Sequence, residues 1–295
     1  MAKLAAIGLV LVVAGASPRV VARIQTGASP GGAVSAFGAV WVASDGAGTV
    51  VRIDPGTNRV TRSVKLRPGL LSVSRGFGAV WAVNYKRDSL TRVDPASGRT
   101  RSVRVGASPF DVLCAFGRVW VTSWEAGLLT ELEPGMLRVV RRIEVGPRPT
   151  GLRATAGAVW VGFGRNATSI ARVDPATSKF RRVQVGTRAP SWFVAGTCDL
   201  WLQAADNRLI RVAPKTRRVT ARLSVGRTLA QGSLASDGTI WIPDKEANRV
   251  YRIDPAKARV VDSFDAGPGA FLALNAFGSM WVASYAGDDL WRFAA

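Results

Sequence analysis

Apolar positions in this chain fall in short consecutive blocks, not in helical stripes. The clearest block is Ala39-Val40-Trp41-Val42-Ala43, apolar at every position, as expected of a strand covered on both faces. Turn formers bracket it, with Phe37-Gly38 before and Asp45-Gly46-Ala47-Gly48 after. The block recurs around Trp81, Trp120, Trp160, Trp201, Trp241 and Trp281, at spacings of 40, 39, 40, 41, 40 and 40 residues. Seven of the ten tryptophans therefore mark one repeated place. A fixed period near forty, with several short strands in each period, predicts the blades of a propeller.

Within a period the pattern predicts four strands. In the first they are Pro30–Ala36 (a), Ala39–Ser44 (b), Thr49–Asp54 (c) and Arg59–Lys65 (d), with Val and Ile in the strands and Gly, Pro, Asn and Asp at the turns. The turn after c is regular: Asp54-Pro55, Asp94-Pro95, Glu133-Pro134, Asp174-Pro175, Ala213-Pro214 and Asp254-Pro255. Proline fixes φ and cannot donate to a ladder, so it ends the strand, and the acid before it can accept backbone N–H groups in an Asx-type turn. Arg52, Arg92, Arg172 and Arg252 stand two residues earlier, placed to pair with those acids. One acid per blade cannot converge on a single metal or catalytic site. The last period stops in strand c at Trp291-Arg292-Phe293, while residues 19–26 read as an orphan strand d. That N-terminal strand is expected to complete the seventh blade and close the ring, removing two free edges.

Composition adds three constraints. At 47% hydrophobic residues the chain has ample core for one closed all-β domain over residues 17–295. Forty Lys+Arg against twenty Asp+Glu give a net charge of +20, which suits an anionic neighbourhood: an envelope polymer, lipid headgroups or nucleic acid. There is no histidine, which removes the commonest general base and neutral metal ligand. Cys114 and Cys198 lie in non-neighbouring repeats and are expected to be buried, inert thiols. Residues 1–16 carry Lys3, an apolar run and a closing Ala14-Gly15-Ala16, the features of a secretory signal, so an exported protein is expected. Asn166-Ala167-Thr168 matches the N-glycosylation tripeptide.

The repeated G-x-x-P, G-x-V-W-V-A, V-x-R-I-D-P-x-T and V-G segments resemble the YVTN-type β-propeller repeats, close to the virginiamycin B lyase-like propellers. The resemblance spans about residues 19–294. It implies a seven-bladed all-β propeller, in a group of exported binding proteins that includes a lyase. That lyase opens a cyclic depsipeptide with the help of Mg²⁺ and a catalytic histidine, and this sequence has no histidine to occupy that role.

Comparing the repeats with one another separates architecture from specialisation. The Trp of strand b is constant and reads as packing. Four residues after it the chain varies: Asp45, Tyr85, Trp124, Gly164, Ala205, Lys245 and Tyr285. Blades seven, one, two and three thus carry Tyr285, Asp45, Tyr85 and Trp124 in ring order, with Asn84 and Glu125 beside them. This arc is the candidate ligand site. Flat apolar rings with a few polar anchors suit a saccharide, a peptide or a segment of a partner protein. Gly31, Leu71, Phe110, Thr150, Ser191, Gln231 and Phe271 are expected to line the central channel. Asp244, Glu246, Asp288 and Asp289 are the acids that could hold Mg²⁺ or Ca²⁺; no cofactor is otherwise indicated. A basic rim on strand d, including Arg138, Arg141, Arg142, Arg181 and Arg182, guards blade edges and could also hold a polyanion. Three functions follow as expectations: a monomeric exported binding propeller, a metal-assisted lyase with a Tyr or Lys base, or a nucleic-acid-binding propeller.

Overall fold

A computed structural model describes residues 17–294; the signal-like segment 1–16 lies outside the described residues. Seven antiparallel sheets are arranged as the blades of an all-β propeller. In blade one the four strands are Pro30–Ala36, Ala39–Ser44, Thr49–Asp54 and Arg59–Lys65, with the boundaries that the residue pattern predicts.

Strand b of each blade is the buried one. Ala39–Ser44, Ala79–Asn84, Ala158–Phe163 and Ser279–Ser284 are buried along their whole length. The marker tryptophans are fully enclosed, between 0% and 2% exposed. Five of them also place the indole N–H. Trp41, Trp81, Trp120, Trp160 and Trp281 each donate to the carbonyl five residues earlier, at 2.9–3.2 Å. One indole thereby fills the space between two sheets and ties down the start of its own a–b turn. Trp241 breaks the series, since its Nε1 has no partner.

The ring closes as expected. Val20–Gln25 pairs antiparallel with Asp289–Ala294, matching Arg23 to Trp291 and Ile24 to Leu290. Ile24 is 5% exposed, and the Arg23 guanidinium lies 3.8 Å from the Trp291 ring centroid.

Two blades depart from the repeat. Blade five has a three-stranded ladder, and the place of its strand a is held by chain that makes single bridges, Phe193 to Leu202 and Ala195 to Ser233. Blade six has a strand a of two residues, Ser233–Leu234. In blade five Trp192 stands where the neighbouring blades carry Gly151 and Gly232. Its segment bonds to blade four, the Gly151 N–H donating to the Ser191 carbonyl and the Phe163 N–H to the Pro190 carbonyl. The Trp192 indole is buried and reaches past Gly151 to meet Phe110 of blade three, with centroids 4.8 Å apart. A Cβ on Gly151 would sit 2.7 Å from the Ser191 carbonyl oxygen, so only glycine lets blade five lean in this far.

The Asp-Pro turns take the form anticipated. Asp54 accepts the N–H groups of Gly56 and Thr57 at 2.8 and 3.0 Å, and Asp94, Glu133, Asp174 and Asp254 do the same in their blades. These bonds favour the charged form and hold each carboxyl below its ordinary pKa. The expected partnership with the arginines two residues earlier does not form. Arg52 donates to Thr61 Oγ1, and Arg252 pairs with Asp237 and Asp262. Residues two apart share a strand face, but the turn points its acid back to its own N–H groups.

Candidate functional site

One backbone device builds the loop face in all seven blades. The residue four beyond each marker Trp donates its N–H to a carbonyl in the loop leading into the same blade. The pairs are Asp45 to Ser29, Tyr85 to Gly69, Trp124 to Ser108, Gly164 to Arg148, Ala205 to Arg188, Lys245 to Thr228 and Tyr285 to Gly269, at 2.8–3.1 Å. The backbone is constant, so the side chains at these places are free to differ.

On blades seven, one, two and three they gather around a cavity of about 400 Å³. Asp45, Tyr85, Trp124, Glu125 and Tyr285 line it, as the arc predicts. Asn84 does not join them. It is buried, donating to the carbonyls of Arg67 and Pro68 and accepting from the Lys86 N–H, so its amide is used up in shaping the loop. Periodicity places Asn84 beside the arc, but strand alternation turns it to the other side.

Asp45 is the polar centre of the cavity. Its Oδ2 accepts the hydroxyls of Tyr285 at 2.9 Å and Tyr85 at 3.4 Å. The residue is 8% exposed, and its Oδ1 has no hydrogen-bond partner. Burial, then the Asp45 contact, pushes the Tyr285 hydroxyl up to about 12, so at neutral pH it stays protonated and donates.

Apolar walls surround this centre. Phe110 stacks on Trp124 with centroids 5.6 Å apart, and Phe271 leans on Tyr285 at 5.3 Å. The Lys245 ammonium stands 4.8 Å from the Tyr285 ring and 5.7 Å from the Phe271 ring. Phe110, Phe271 and Leu71 are among the residues expected in the central channel, and they form part of the cavity wall. Strand a opens onto the same face as the b–c loops, so channel and loop cavity are continuous. Lys245, at the same variable position in blade six, and Ser108, which no sequence signal marks, complete the lining.

The channel is packed below the cavity. Asp111, in Pro109–Ala115, accepts Ser72 Oγ at 2.5 Å, the Val112 N–H at 2.8 Å and the Leu152 N–H at 2.7 Å. One carboxyl thus links blades two, three and four. Burial raises it to about 6 in spite of those three donors.

The candidate cation ligands do not converge. Asp244 accepts four backbone N–H groups, from Arg227, Thr228, Glu246 and Ala247. Asp288 accepts the Ser29 N–H, and Asp289 accepts the Trp291 indole. Among the described residues no group of three or more acids, cysteines or histidines is arranged to hold a metal. Asp244, Asp288 and Asp289 are thus each engaged separately and are not assembled as one site for Mg²⁺ or Ca²⁺. Cys198 corrects another expectation: it is exposed, at the a–b turn of blade five, while Cys114 is partly buried and its thiol is pushed up to about 12 by burial.

The rim arginines divide. Arg138, Arg142 and Arg181 point to solvent from Arg138–Glu144 and Phe180–Gln184. Arg141 instead pairs with Glu131 at 3.5 Å and donates to Ser178 Oγ at 2.7 Å. Arg182 donates to the Val145 carbonyl of blade three and covers the Phe163 ring at 3.9 Å. Those two fasten neighbouring blades.

Fold and site together define a seven-bladed β-propeller with a ligand-sized aromatic cavity at the mouth of its channel. No family model and no curated protein sequence matches the chain. Solved structures do match in fold. A streptogramin B lyase is 15% identical with a TM-score of 0.81, covering 92% of this chain and 96% of its own. Virginiamycin B lyase from Staphylococcus aureus is 14% identical with a TM-score of 0.79, covering 93% and 98%, and has also been solved as a catalytically inactive histidine-to-alanine variant with quinupristin. The hydrazine synthase of Kuenenia stuttgartiensis is 13% identical with a TM-score of 0.76, covering 92% and 97%. At these identities the likeness is one of fold.

Proposed function

We propose that this chain is an exported, non-catalytic binding propeller. Its loop-face cavity takes a saccharide ring or an aromatic-bearing peptide segment, and its exposed rim arginines lie against an anionic envelope polymer. The observation that carries this reading is Asp45, buried at the cavity wall, held on one oxygen by two tyrosines and unpartnered on the other. A buried acceptor without a donor costs about 1–3 kcal/mol, which favours keeping the Asp45 contacts to its two tyrosines. A ligand meets this centre through the hydroxyls of Tyr85 and Tyr285, which line the cavity. The stacked rings supply flat apolar contact, and Lys245 supplies a cation beside the Tyr285 and Phe271 rings.

Two observations support the non-catalytic part of this reading. One histidine-to-alanine change leaves the S. aureus lyase catalytically inactive, and this chain contains no histidine. Tyr285, the hydroxyl best placed in the cavity, keeps its proton well above neutral pH. The test is a panel of oligosaccharides, aromatic peptides, anionic polymers and quinupristin, titrated into residues 17–295. Saturable binding of a saccharide or peptide, with quinupristin recovered intact and still cyclic, is the expected result. Ring opening of quinupristin would replace this reading with that of a lyase.

A further inference from the structure

The second half of the loop face is built on a reversal of the first. Where the b–c loop carries a large or charged side chain, the facing residue of the entering loop is small: Ser29, Gly69, Ser108, Thr228 and Gly269. Where the b–c residue is Gly164 or Ala205, the facing residue is Arg148 or Arg188. Small and large have changed places in blades four and five, and only there. In blade four the room above Gly164 is held by the Trp124 ring, which a Cβ there would meet at 2.4 Å.

Those two arginines and Arg165 line a separate cavity of about 490 Å³, together with Asn166, Ala205 and Asp206. Among the described residues none of the three forms an ion pair with a carboxylate. Asp206, the acid in this lining, is already engaged, accepting Thr187 Oγ1 at 2.6 Å and lying 3.5 Å from Arg208 Nε. Asn166 Oδ1 accepts Arg188 Nη2 at 3.0 Å and so steadies one guanidinium. The Arg148 guanidinium stands 5.9 Å from the Trp124 ring, which is also a wall of the aromatic cavity.

Three like charges brought to one concavity against the single carboxylate of Asp206, which Arg208 also shares, repel one another, and an anion relieves that repulsion. Guanidinium groups present paired N–H donors that match the oxygens of a phosphate, and a phosphate offers enough oxygens to engage more than one of them. A monocarboxylate would neutralise one charge of the three. We infer that the cavity of Arg148, Arg165 and Arg188 is a phosphate-binding site, distinct from the Asp45 cavity and sharing only the Trp124–Arg148 wall with it. It recognises a phosphomonoester or a phosphodiester group, the latter being the unit of a phosphate-linked polymer. This site stands whether or not the aromatic cavity binds a saccharide or peptide.

The test is calorimetric titration of residues 17–295 with inorganic phosphate, glycerol 1-phosphate and bis(glycerol) phosphate. The variants are Arg165→Gln/Arg188→Gln, Arg165→Lys/Arg188→Lys, and the rim set Arg138→Gln/Arg142→Gln/Arg181→Gln. Melting curves confirm that each variant is folded. The site predicts saturable binding of at least one phosphate, weakened about tenfold or more in the Gln pair, incompletely restored by the Lys pair and unchanged in the rim set. Preference for glycerol 1-phosphate marks a small phosphomonoester as the ligand, and preference for bis(glycerol) phosphate marks a polymer. No phosphate binding, or binding that the rim set abolishes and the Gln pair leaves intact, overturns the inference.

Discussion

Trp160 and Trp241 occupy the same place in blades four and six, yet only Trp160 has a partner for its indole N–H. Replacing either by Phe removes similar volume. The Trp160→Phe change also loses a part-buried hydrogen bond, whereas Trp241→Phe removes an unsatisfied donor. Chemical denaturation should therefore show Trp160→Phe to be the more damaging by about 1–3 kcal/mol. Equal losses would mean that the indole bond contributes nothing. Asp111 makes a second claim at this scale. Its folded pKa of about 6 lies above the unfolded value of 3.8, so its contribution to stability is present at low pH and is lost as pH rises through about 6. Asp111→Asn has no proton to lose. The stability of the natural chain relative to this variant should fall between about pH 4 and 6 and level off above 7; a flat difference contradicts the assignment. Neither residue's environment was legible in the sequence. A tryptophan announces that it is buried but not where its N–H ends, and Asp111 looks like any strand polar residue until blades two and four close on it.

Strands were the most legible element. Blocks such as Ala39–Ser44 are apolar throughout because neighbouring sheets cover both faces, and Gly, Pro and Asp mark where the ladder must stop. The ring closure was legible for the same reason: one period lacks a strand d and one strand d lacks a period. The lapse of strand a in blades five and six was not, since the contacts its segment makes in blade five, Trp192 with Phe110 past Gly151, are long-range. The candidate site divided along similar lines. Loop positions that differ between repeats pointed to Asp45, Tyr85, Trp124 and Tyr285, but the joining of channel and loop residues into one cavity depends on how strand a tilts. Closure carries its own prediction. Removing residues 17–27 exposes the edge of Asp289–Ala294 and uncovers Leu290, so the melting temperature should drop by roughly 10 °C or more if several kcal/mol are lost. An unchanged melting curve is incompatible with a seventh blade completed by this strand.

At the level of the whole molecule, charge and cavity serve different ends. Part of the +20 excess is spent on architecture: Arg141, Arg182, Arg222 and Arg292 bond across blade boundaries. What remains on the circumference, including Arg138, Arg142 and Arg181, is available to a polyanion. Changing those three to Gln should flatten the salt dependence of binding to an anionic polymer and leave the melting temperature within a few degrees. A salt slope that is steep in both proteins places the polyanion elsewhere. The central claim is that the propeller acts through the cavity around Asp45, and the most direct measurement is the affinity of Trp124→Ala. Trp124 forms a wall of the cavity and is only partly buried, packed against Phe110 and over Gly164. Calorimetry with the tightest saccharide or peptide of the panel should show a loss of ~1–3 kcal/mol of binding, about 5- to 150-fold, with the protein still folded at the assay temperature. Undiminished affinity in a folded Trp124→Ala protein contradicts the claim and makes the aromatic arc a cap on the blade cores.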